Sequence, residues 1–575
     1  MKARQKNRGA DLLVAALRAH GVRHVMGLTG GAIMETMDAL RSDGQLQLHI
    51  FQTEAGAAWA AIGYARVTGE VGVCVVTSGP GASNTITALA DAHRDNVPLL
   101  VVTGQVGTSA RNTDAFQELN ITEIAAPVVK KAFYLSRPDE IVETVCTAFR
   151  TAREGRPGPV LIDFTKDAQQ AVVYSGEIAA LTPAASLPRE SSTIDIPESS
   201  LDEVARLLSR ASRPAIIAGY GLILAKAQKA LRELLEIVPC PVVHTLPGKA
   251  ALDSSHPRNF GLLGMHGFYV ANWIINRADL IISLGARYDD RITGDLKSFA
   301  PRAVRLVHFD IDPAQISKVL PERKLGVVGD LKHTLTALIR RLEGSQFDLS
   351  SWQAEIAAIK ETHPSTYKRK SDVLQAQQVI EVLSEVIDKT RPDREQPVIF
   401  TTEVGDHQMW AAQFLQVRDN WHFITTSGQG AMGAGLPMAI GAQLAYPNAL
   451  VVCLAGDGSL RMSEAELETV TEQQSPLKII LFNNQGYGIV RMWNDFFYEG
   501  RRTGVVKCHK NWTLLAQANG FSESRVQTVC QPAQLRKVLE SALCQSGPCF
   551  VEMVTPYEEC LPLLPPGKRF EDVIL

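Results

Sequence analysis

The sequence predicts an α/β protein made of three doubly wound parallel-sheet domains, and three observations carry that expectation. Short apolar or β-branched runs alternate with helical stretches along most of the chain, the rhythm of parallel sheets covered on both faces. The 575 residues exceed what a single core organises and suggest roughly three to four domains. With 45% hydrophobic and 21% charged residues, the composition is that of a globular chain, not a disordered one.

The elements follow in order. A helix over residues 11–20 stops at Gly21, and a strand over 24–28 leads through Gly30-Gly31 into a helix over 32–40. Residues 46–52 read as a strand and 54–68 as an alanine-rich helix. Strands over 71–77 and 97–103 flank a glycine loop and a helix, and a strand over 160–164 closes the first block. Residues 170–200 turn to Ala, Ser, Pro and Glu and read as a linker. The second block has strands over 214–218, 241–245, 280–284 and 304–309, with helices over 201–210, 226–237 and 314–319. Polar residues 342–373 read as a second connector, and the third block places strands over 397–402, 449–454, 477–483 and 549–554. The predicted domains are therefore 1–172, 195–342 and 373–560. The first and third share a strand–glycine turn–helix rhythm without a residue-level repeat.

Charge and cysteine usage narrow the function classes. Lys plus Arg is 58 and Asp plus Glu is 61, a net charge of −3 with no basic stripe, which argues against nucleic acid or a membrane surface as partner. The longest apolar runs are strand-sized, far short of a bilayer span. Nine cysteines form no C-x-x-C pair, which favours reduced thiols over a disulfide framework or a zinc site. The basic first residues lead into an amphipathic helix without a secretory core, so the expected location is cytoplasmic.

Chemistry concentrates in three motifs. Gly456-Asp457-Gly458-Ser459 ends one strand and Asn483-Asn484 ends the next. Ligands of open α/β sheets bind beyond the carboxyl ends of strands, so the two can converge there. A carboxylate and an amide oxygen suit a hard octahedral cation such as Mg²⁺ that also binds a diphosphate. Gly456 and Gly458 let backbone approach phosphate oxygens, and a helix starting near Ser463 would add its dipole. Gly-Asp-Gly alone is equally an ordinary βα turn; the double Asn raises it above that. Glu54 opens a helix among small neighbours that would bury it beside a ligand, although a first-turn glutamate also simply stabilises the helix dipole. Gly79-Pro80-Gly81-Ala82-Ser83-Asn84 is a glycine loop at a helix start, weak by itself.

Together these residues resemble the thiamine-diphosphate enzymes, and several stretches are similar to the acetohydroxyacid synthase (acetolactate synthase) catalytic-subunit family. They include Thr113-Asp114-Ala115-Phe116-Gln117-Glu118, Gly155-Arg156-Pro157-Gly158-Pro159, Leu263-Gly264-Met265-His266-Gly267, Gly285-Ala286-Arg287-Tyr288-Asp289-Asp290-Arg291, His407-Gln408-Met409-Trp410 and Val490-Arg491-Met492-Trp493. The resemblance runs from about residue 10 to Pro565-Pro566-Gly567. It implies the first common step of branched-chain amino-acid synthesis: pyruvate is decarboxylated on thiamine diphosphate, and its two-carbon unit joins a second pyruvate or 2-oxobutyrate.

The resemblance also implies roles. Glu54 matches the glutamate that shares a proton with the aminopyrimidine, and Met432 the apolar residue under the bent cofactor, though methionine is equally a core filler. Gly30, Gly31, Pro80, Asn84, Val404, Gly405, His407, Gly430, Gly456, Gly458 and Ser459 fall at thiamine-diphosphate positions, and Asp457, Asn484 and Gly486 at metal positions. Phe116, Gln117 and Lys166 match the substrate channel. Trp493 matches a tryptophan tied to the acceptor, where a flat side chain discriminates one methylene by roughly 1–3 kcal/mol. FAD, without a net redox role, is implied at Arg156, Gly219, Gly221, Gly264, Met265, His266, Gly285, Arg287, Arg291, Asp310, Ile311 and Asp330. The site is implied to lie between subunits, hence a homodimer or homotetramer, with a small regulatory subunit as a further partner.

Several positions depart from the family pattern. Thr29 replaces a proline, Thr53 and Ala55 flank Glu54 in place of His and Gln, and Arg111-Asn112 replaces an apolar residue and glycine. Asn96, Gln429 and Ala434 also differ, and Asp406 stands where glutamine is usual. A carboxylate near a diphosphate repels it unless it turns aside or finds a partner. Alternative readings are another flavin-containing thiamine enzyme, such as a pyruvate oxidase or a carboligase with another acceptor, and a non-catalytic paralogue.

Overall fold

The computed structural model describes residues 7–173, 198–316, 318–391, 396–507 and 509–575. Three six-stranded parallel sheets organise them. In the first, strands β1 (His24–Gly27), β2 (Gln47–Ile50), β3 (Gly72–Val76), β4 (Leu99–Gln105), β5 (Lys131–Leu135) and β6 (Pro159–Thr165) lie in the order β2-β1-β3-β4-β6-β5. The second contains β7 (Pro214–Ala218), β8 (Val242–His244), β9 (Asn259–Leu262), β10 (Leu280–Leu284), β11 (Arg305–Asp310) and β12 (Lys324–Val328), ordered β9-β8-β7-β10-β11-β12. The third contains β13 (Val398–Thr402), β14 (His422–Ile424), β15 (Leu450–Gly456), β16 (Lys478–Asn483), β17 (Val526–Val529) and β18 (Cys549–Val554), ordered β14-β13-β15-β16-β18-β17. The first and third sheets thus share one topology, which gives their common rhythm a structural meaning. The second has the order of a dinucleotide-binding sheet.

Each sheet reverses its winding near its centre: between β1 and β3, between β7 and β10, and between β13 and β15. Ligands sit in the crevice at such reversals. The central strands are sealed on both faces; every residue of β4 and of β15 is buried. That burial explains their unbroken apolar runs.

The structure adds to and corrects the expected elements. Strands β5, β9, β12, β14 and β17 were not expected, and each is a sheet edge. The polar stretch 342–373 is more than a connector: it carries helix Ser350–Thr362, which packs Trp352 and Ile356 into the core. The helix expected near Ser463 starts earlier, with a short turn at Asp457–Leu460, followed by Glu466–Glu472. Of the expected linker over 170–200, residues 174–197 lie outside the described residues. No helix among the described residues is long and apolar enough to cross a membrane.

Helix Glu54–Thr68 joins the first domain to the third. It packs on helix Gly435–Ala445 through small residues: a Cβ on Gly63 would lie 2.1 Å from the Met438 carbonyl oxygen, and one on Gly441 would lie 1.8 Å from that of Ala60. Only glycine permits backbones to approach this closely.

Candidate active site

The residues at the first sheet's reversal form one cluster. The turn after β1 meets the strand end of β3: a Cβ on Gly30 would lie 2.5 Å from Thr77, whose hydroxyl accepts the Ala32 amide at 3.3 Å. Asn84 Nδ2 donates to Glu54 Oε2 at 3.0 Å, and Gly81 lies against the other carboxylate oxygen. Pro80 starts the short helix that carries Asn84 as its cap, while Gly79, at φ 57°, packs against Gln117. Gly30, Pro80, Asn84, Gln117 and Glu54 are therefore neighbours, and Gly31 sits on the open side of its turn with nothing within 4 Å of its Cβ position. Glu54 is only half-buried among the described residues.

The segment leading to Glu54 is held from the third domain. Glu466, fully buried, accepts the Gln52 amide at 3.3 Å, the Thr53 amide at 3.1 Å, the Thr53 hydroxyl at 2.8 Å and the Thr469 hydroxyl at 2.7 Å. Thr53 Oγ1 in turn accepts the Gly56 amide at 2.9 Å and so caps the helix. The departure at Thr53 thus has two uses, a cap and a tether. Burial pushes the Glu466 carboxyl up, against its hydrogen bonds from Thr469 and Thr53. No local pattern in the sequence marks Glu466 for this role, since Gln52 and Thr53, which it holds, lie more than 400 residues away.

The channel loop beside Gln117 is strained by design. Asn112, Asp114 and Gln117 all take positive φ, 61°, 57° and 61°. Asparagine tolerates that region better than most residues, so Asn112 fits where the family has glycine. Glu118 gathers the Asn112, Thr113 and Ala115 amides, and hydrogen bonding to Asn112 leads the effects that hold its carboxyl below the usual range. Arg111 lies over the Tyr134 ring and donates to the Leu119 carbonyl at 3.3 Å. Phe116 is 88% exposed at the loop tip. Lys166 opens helix Lys166–Gln170 just past β6 and makes no hydrogen bond or ion pair among the described residues.

A second cluster surrounds the third sheet's reversal. Ser459 Oγ donates to the Val404 carbonyl at 2.6 Å, and His407 packs where a Cβ on Gly405 or Gly456 would sit, 3.0 and 2.7 Å away. Gly458 lies against Tyr487 and the Gly486 carbonyl. Asp457 is 2% exposed, and burial pushes its carboxyl up to about 6. Its Oδ2 has no hydrogen-bond partner among the described residues, nor has His407 Nε2. Such buried orphans call for an absent partner. Among the described residues no three His, Cys, Asp or Glu side chains gather as a metal cluster, so a cation here must also take amide, carbonyl or ligand oxygens. Met432 is half-buried beside this cluster, not sealed in the core, and Gly430 lies 4.0 Å from Val404 measured from its Cβ position.

At the far end of the Glu54 helix the chain places a ladder of charges. Arg66, on the Glu54 helix, meets Asp91 at 3.5 Å and Asp95 at 2.6 Å, all three buried. Asp95 accepts the Ser427 amide and hydroxyl at 2.9 and 2.6 Å, and Asp91 accepts the Gln429 amide at 3.3 Å. The loop running to Met432 is thereby fixed at the Arg66 end of the helix, about 18 Å from Glu54 at 1.5 Å per residue. No hydrogen bond or ion pair among the described residues joins the Glu54 cluster to the Asp457 cluster.

The second domain opens a cavity of about 910 Å³ toward the third. Arg156, Gly221, Met265, His266, Gly285, Arg287, Arg291, Asp310, Ile311 and Asp330 line it, with Trp493, Val404 and Gly430 from the third domain. Gly219 and Gly264 do not; they serve backbone packing, since a Cβ on them would meet the Gly285 and Arg291 carbonyls at 2.2 and 2.3 Å. Arg291 lies 5.6 Å from the Trp493 ring centre, so the two domains meet at these side chains. Asn96, with φ 60°, accepts from Arg156 Nε and holds that guanidinium at the cavity edge. Asp330 caps helix Leu331–Leu342 through the Lys332 amide at 2.9 Å. His266 bonds the Cys560 carbonyl at 2.9 Å and burial pushes it down to about 4, so it is neutral at pH 7. Burial pushes Asp310 up to about 6.

Residues 7–124 match the family model described as the thiamine pyrophosphate enzyme N-terminal TPP binding domain, 201–338 the central domain, and 403–553 the C-terminal TPP binding domain. The chain is 40% identical over 568 residues to the acetolactate synthase isozyme 2 large subunit of Escherichia coli, covering 98% of this chain and 99% of that protein. It is 38% identical to acetolactate synthase 1, chloroplastic, of Zea mays, over 99% of this chain and 89% of that protein. It is 37% identical to the acetolactate synthase large subunit of Porphyra purpurea, over 98% and 95%. With all three domain models matched and similarity along nearly its whole length, the chain belongs to the acetolactate synthase large-subunit family of thiamine pyrophosphate enzymes.

Proposed function

We propose that this chain is the catalytic subunit of an acetolactate synthase. One pyruvate loses CO₂ and its two-carbon remainder joins a second pyruvate to give 2-acetolactate, or 2-oxobutyrate to give 2-aceto-2-hydroxybutyrate. The observation that carries the reading is the pair of clusters at equivalent reversals of two sheets of identical topology, one presenting Glu54 and the other Asp457. Thiamine diphosphate, when bound, supplies the electron sink for decarboxylation.

The chain's own residues fit that group. Asp457 Oδ2 is a buried acceptor lacking a partner, and with Asn484 and the Gly486 carbonyl it offers oxygens suited to Mg²⁺. Gly456 and Gly458 keep backbone accessible to phosphate, and His407 stands beside them with a free ring nitrogen among the described residues. Glu54, steadied by Asn84, is the group that shares a proton with the aminopyrimidine, and Met432 supports the cofactor from below. Phe116, Gln117 and Lys166 border the approach of the 2-oxo acids, and Trp493 sets the acceptor. The cavity at the second sheet's reversal is large enough for FAD, and Arg156 and Arg287 on its lining, now paired with Asp312 and Asp289, are the cations that would meet its phosphates. We assign the domains as 1–172, 195–342 and 373–560.

The two clusters belong, in this reading, to one active site made by two chains. Support comes from the anchoring of the Met432 loop at the Arg66 end of the helix, a helix length from Glu54, and from the partial exposure of Glu54, Met432 and Phe116. A homodimer is the smallest assembly that completes the site. Two of the relatives are named large subunits, which supports a smaller regulatory companion. The location we propose is the cytoplasm.

Product analysis tests the proposal. Pyruvate alone, and pyruvate with 2-oxobutyrate, are supplied with and without thiamine diphosphate, Mg²⁺ and FAD. Acetolactate formed only with the first two cofactors present is the expected result. Peroxide as the main product would make the chain an oxidase instead.

A further inference from the structure

Asp406 opens helix Asp406–Phe414 beside the Asp457 cluster and is 6% exposed, an unusual setting for a carboxylate expected to face a diphosphate. It does not point there unpaired. Its Oδ1 accepts the His407 amide at 2.9 Å, and its Oδ2 accepts Asn484 Nδ2 at 2.9 Å. The space for this pair is kept by Gly488, where a Cβ would lie 1.8 Å from Asp406 Oδ2 and 3.0 Å from Asn484 Nδ2.

We propose that Asp406 is a positioning residue for the divalent cation, which it serves by fixing the amide of Asn484. A carboxylate oxygen only accepts hydrogen bonds, so the amide nitrogen must turn to it and the amide oxygen is committed to the opposite side. Without that acceptor the amide nitrogen is free to turn toward the cation site, and the amide oxygen is no longer held in place as a ligand. The neighbouring Asp457 Oδ2, buried and without a partner among the described residues, is the second oxygen of the same site. Asp406 therefore acts on the cation through Asn484, as outer-shell partners of metal ligands do. This inference rests on the reading that Asp457 and Asn484 hold the metal.

The test counts free Mn²⁺ by electron paramagnetic resonance while the full-length protein is titrated with the metal in the presence of thiamine diphosphate. Wild type should bind Mn²⁺ in a cofactor-dependent way; if it does not, the reading of the site fails before Asp406 is at issue. Asp406→Ala should weaken Mn²⁺ binding by about tenfold or more. Asp406→Asn has one side-chain oxygen for two donors, the His407 amide and the Asn484 amide, and should bind Mn²⁺ more weakly than wild type but no more weakly than Asp406→Ala. In an Asn484→Ala background, the Asp406→Ala loss should vanish, a coupling that a merely structural role would not produce. Should Asp406→Ala not fold, Asp406→Leu takes its place, filling the space without an acceptor. Wild-type Mn²⁺ affinity in the Ala or Leu variant overturns the proposal, as does a loss that persists without the Asn484 side chain.

Discussion

Glu54 is placed by contacts on both sides: Asn84 Nδ2 bonds its carboxylate, and Glu466 bonds the two residues before it. Replacing it with glutamine preserves shape and removes the shared proton. Glu54→Gln should keep thiamine diphosphate affinity while kcat falls by about 10²–10⁴-fold, measured by steady-state acetolactate formation; full turnover would remove Glu54 from the chemistry. Asp163 offers a test of the channel's support, since its carboxylate accepts from Thr103 at 2.9 Å and from Gln105 at 2.8 Å, and Gln105 also holds the Leu119 carbonyl. Burial pushes Asp163 up from 3.8 to about 6. The folded state binds that proton more tightly than the unfolded chain, so this group's contribution to stability is whole below pH ~4 and is lost as pH rises through about 6. Asp163→Asn lacks that loss and should gain on wild type by up to about 3 kcal/mol between pH 4 and pH 8. Denaturation curves at the two pH values check this, and an opposite slope would refute it. The sequence singled out Asp457, Asn484 and Glu54 because each stands at a strand end or helix start, where neighbours in the chain reveal the turn. Glu466 and the Asp406–Asn484 pair escaped notice as partners because folding alone makes them adjacent.

Helix Glu54–Thr68 shows what elements can and cannot announce. Its alanine-rich sequence marks a helix, and the bounds Glu54 to Thr68 are those observed. That the packed face meets Gly435–Ala445 of another domain could not be read, because either helix alone would suit any small-residue partner. Gly63→Ala drives a methyl into the Met438 carbonyl and should destabilise the protein by about 1–3 kcal/mol, seen as a lower thermal midpoint. An unchanged midpoint would mean the two helices separate at little cost. The strands divide along similar lines. Central ones such as Leu280–Leu284 are buried throughout and were legible as apolar runs. Edge strands such as Lys131–Leu135, with Lys131 exposed, and Val526–Val529, with Gln527 and Thr528 in its middle, carry mixed side chains because one flank meets no neighbour.

At the scale of the molecule, the two clusters predict a complementation experiment. If each active site draws Glu54 from one chain and Asp457 from another, a Glu54→Gln homodimer and an Asp457→Asn homodimer are each inactive, yet a mixed dimer has one site with neither change. Random exchange of equal amounts should restore about a quarter of wild-type activity. No recovery after exchange, verified by tagged-subunit pull-down, would place both residues in one chain's site. Light scattering should find no smaller active species than a dimer.

The tether between Glu466 and Thr53 then acquires a meaning beyond stability. In such a dimer, the stretch before Glu54 serves one reaction centre while Glu466, nine positions after Asp457, belongs to the other. Three hydrogen bonds from Gln52 and Thr53 to one carboxylate would bind the alignment of both centres together, so damage introduced there should show up twice over, in each catalytic chamber of the pair.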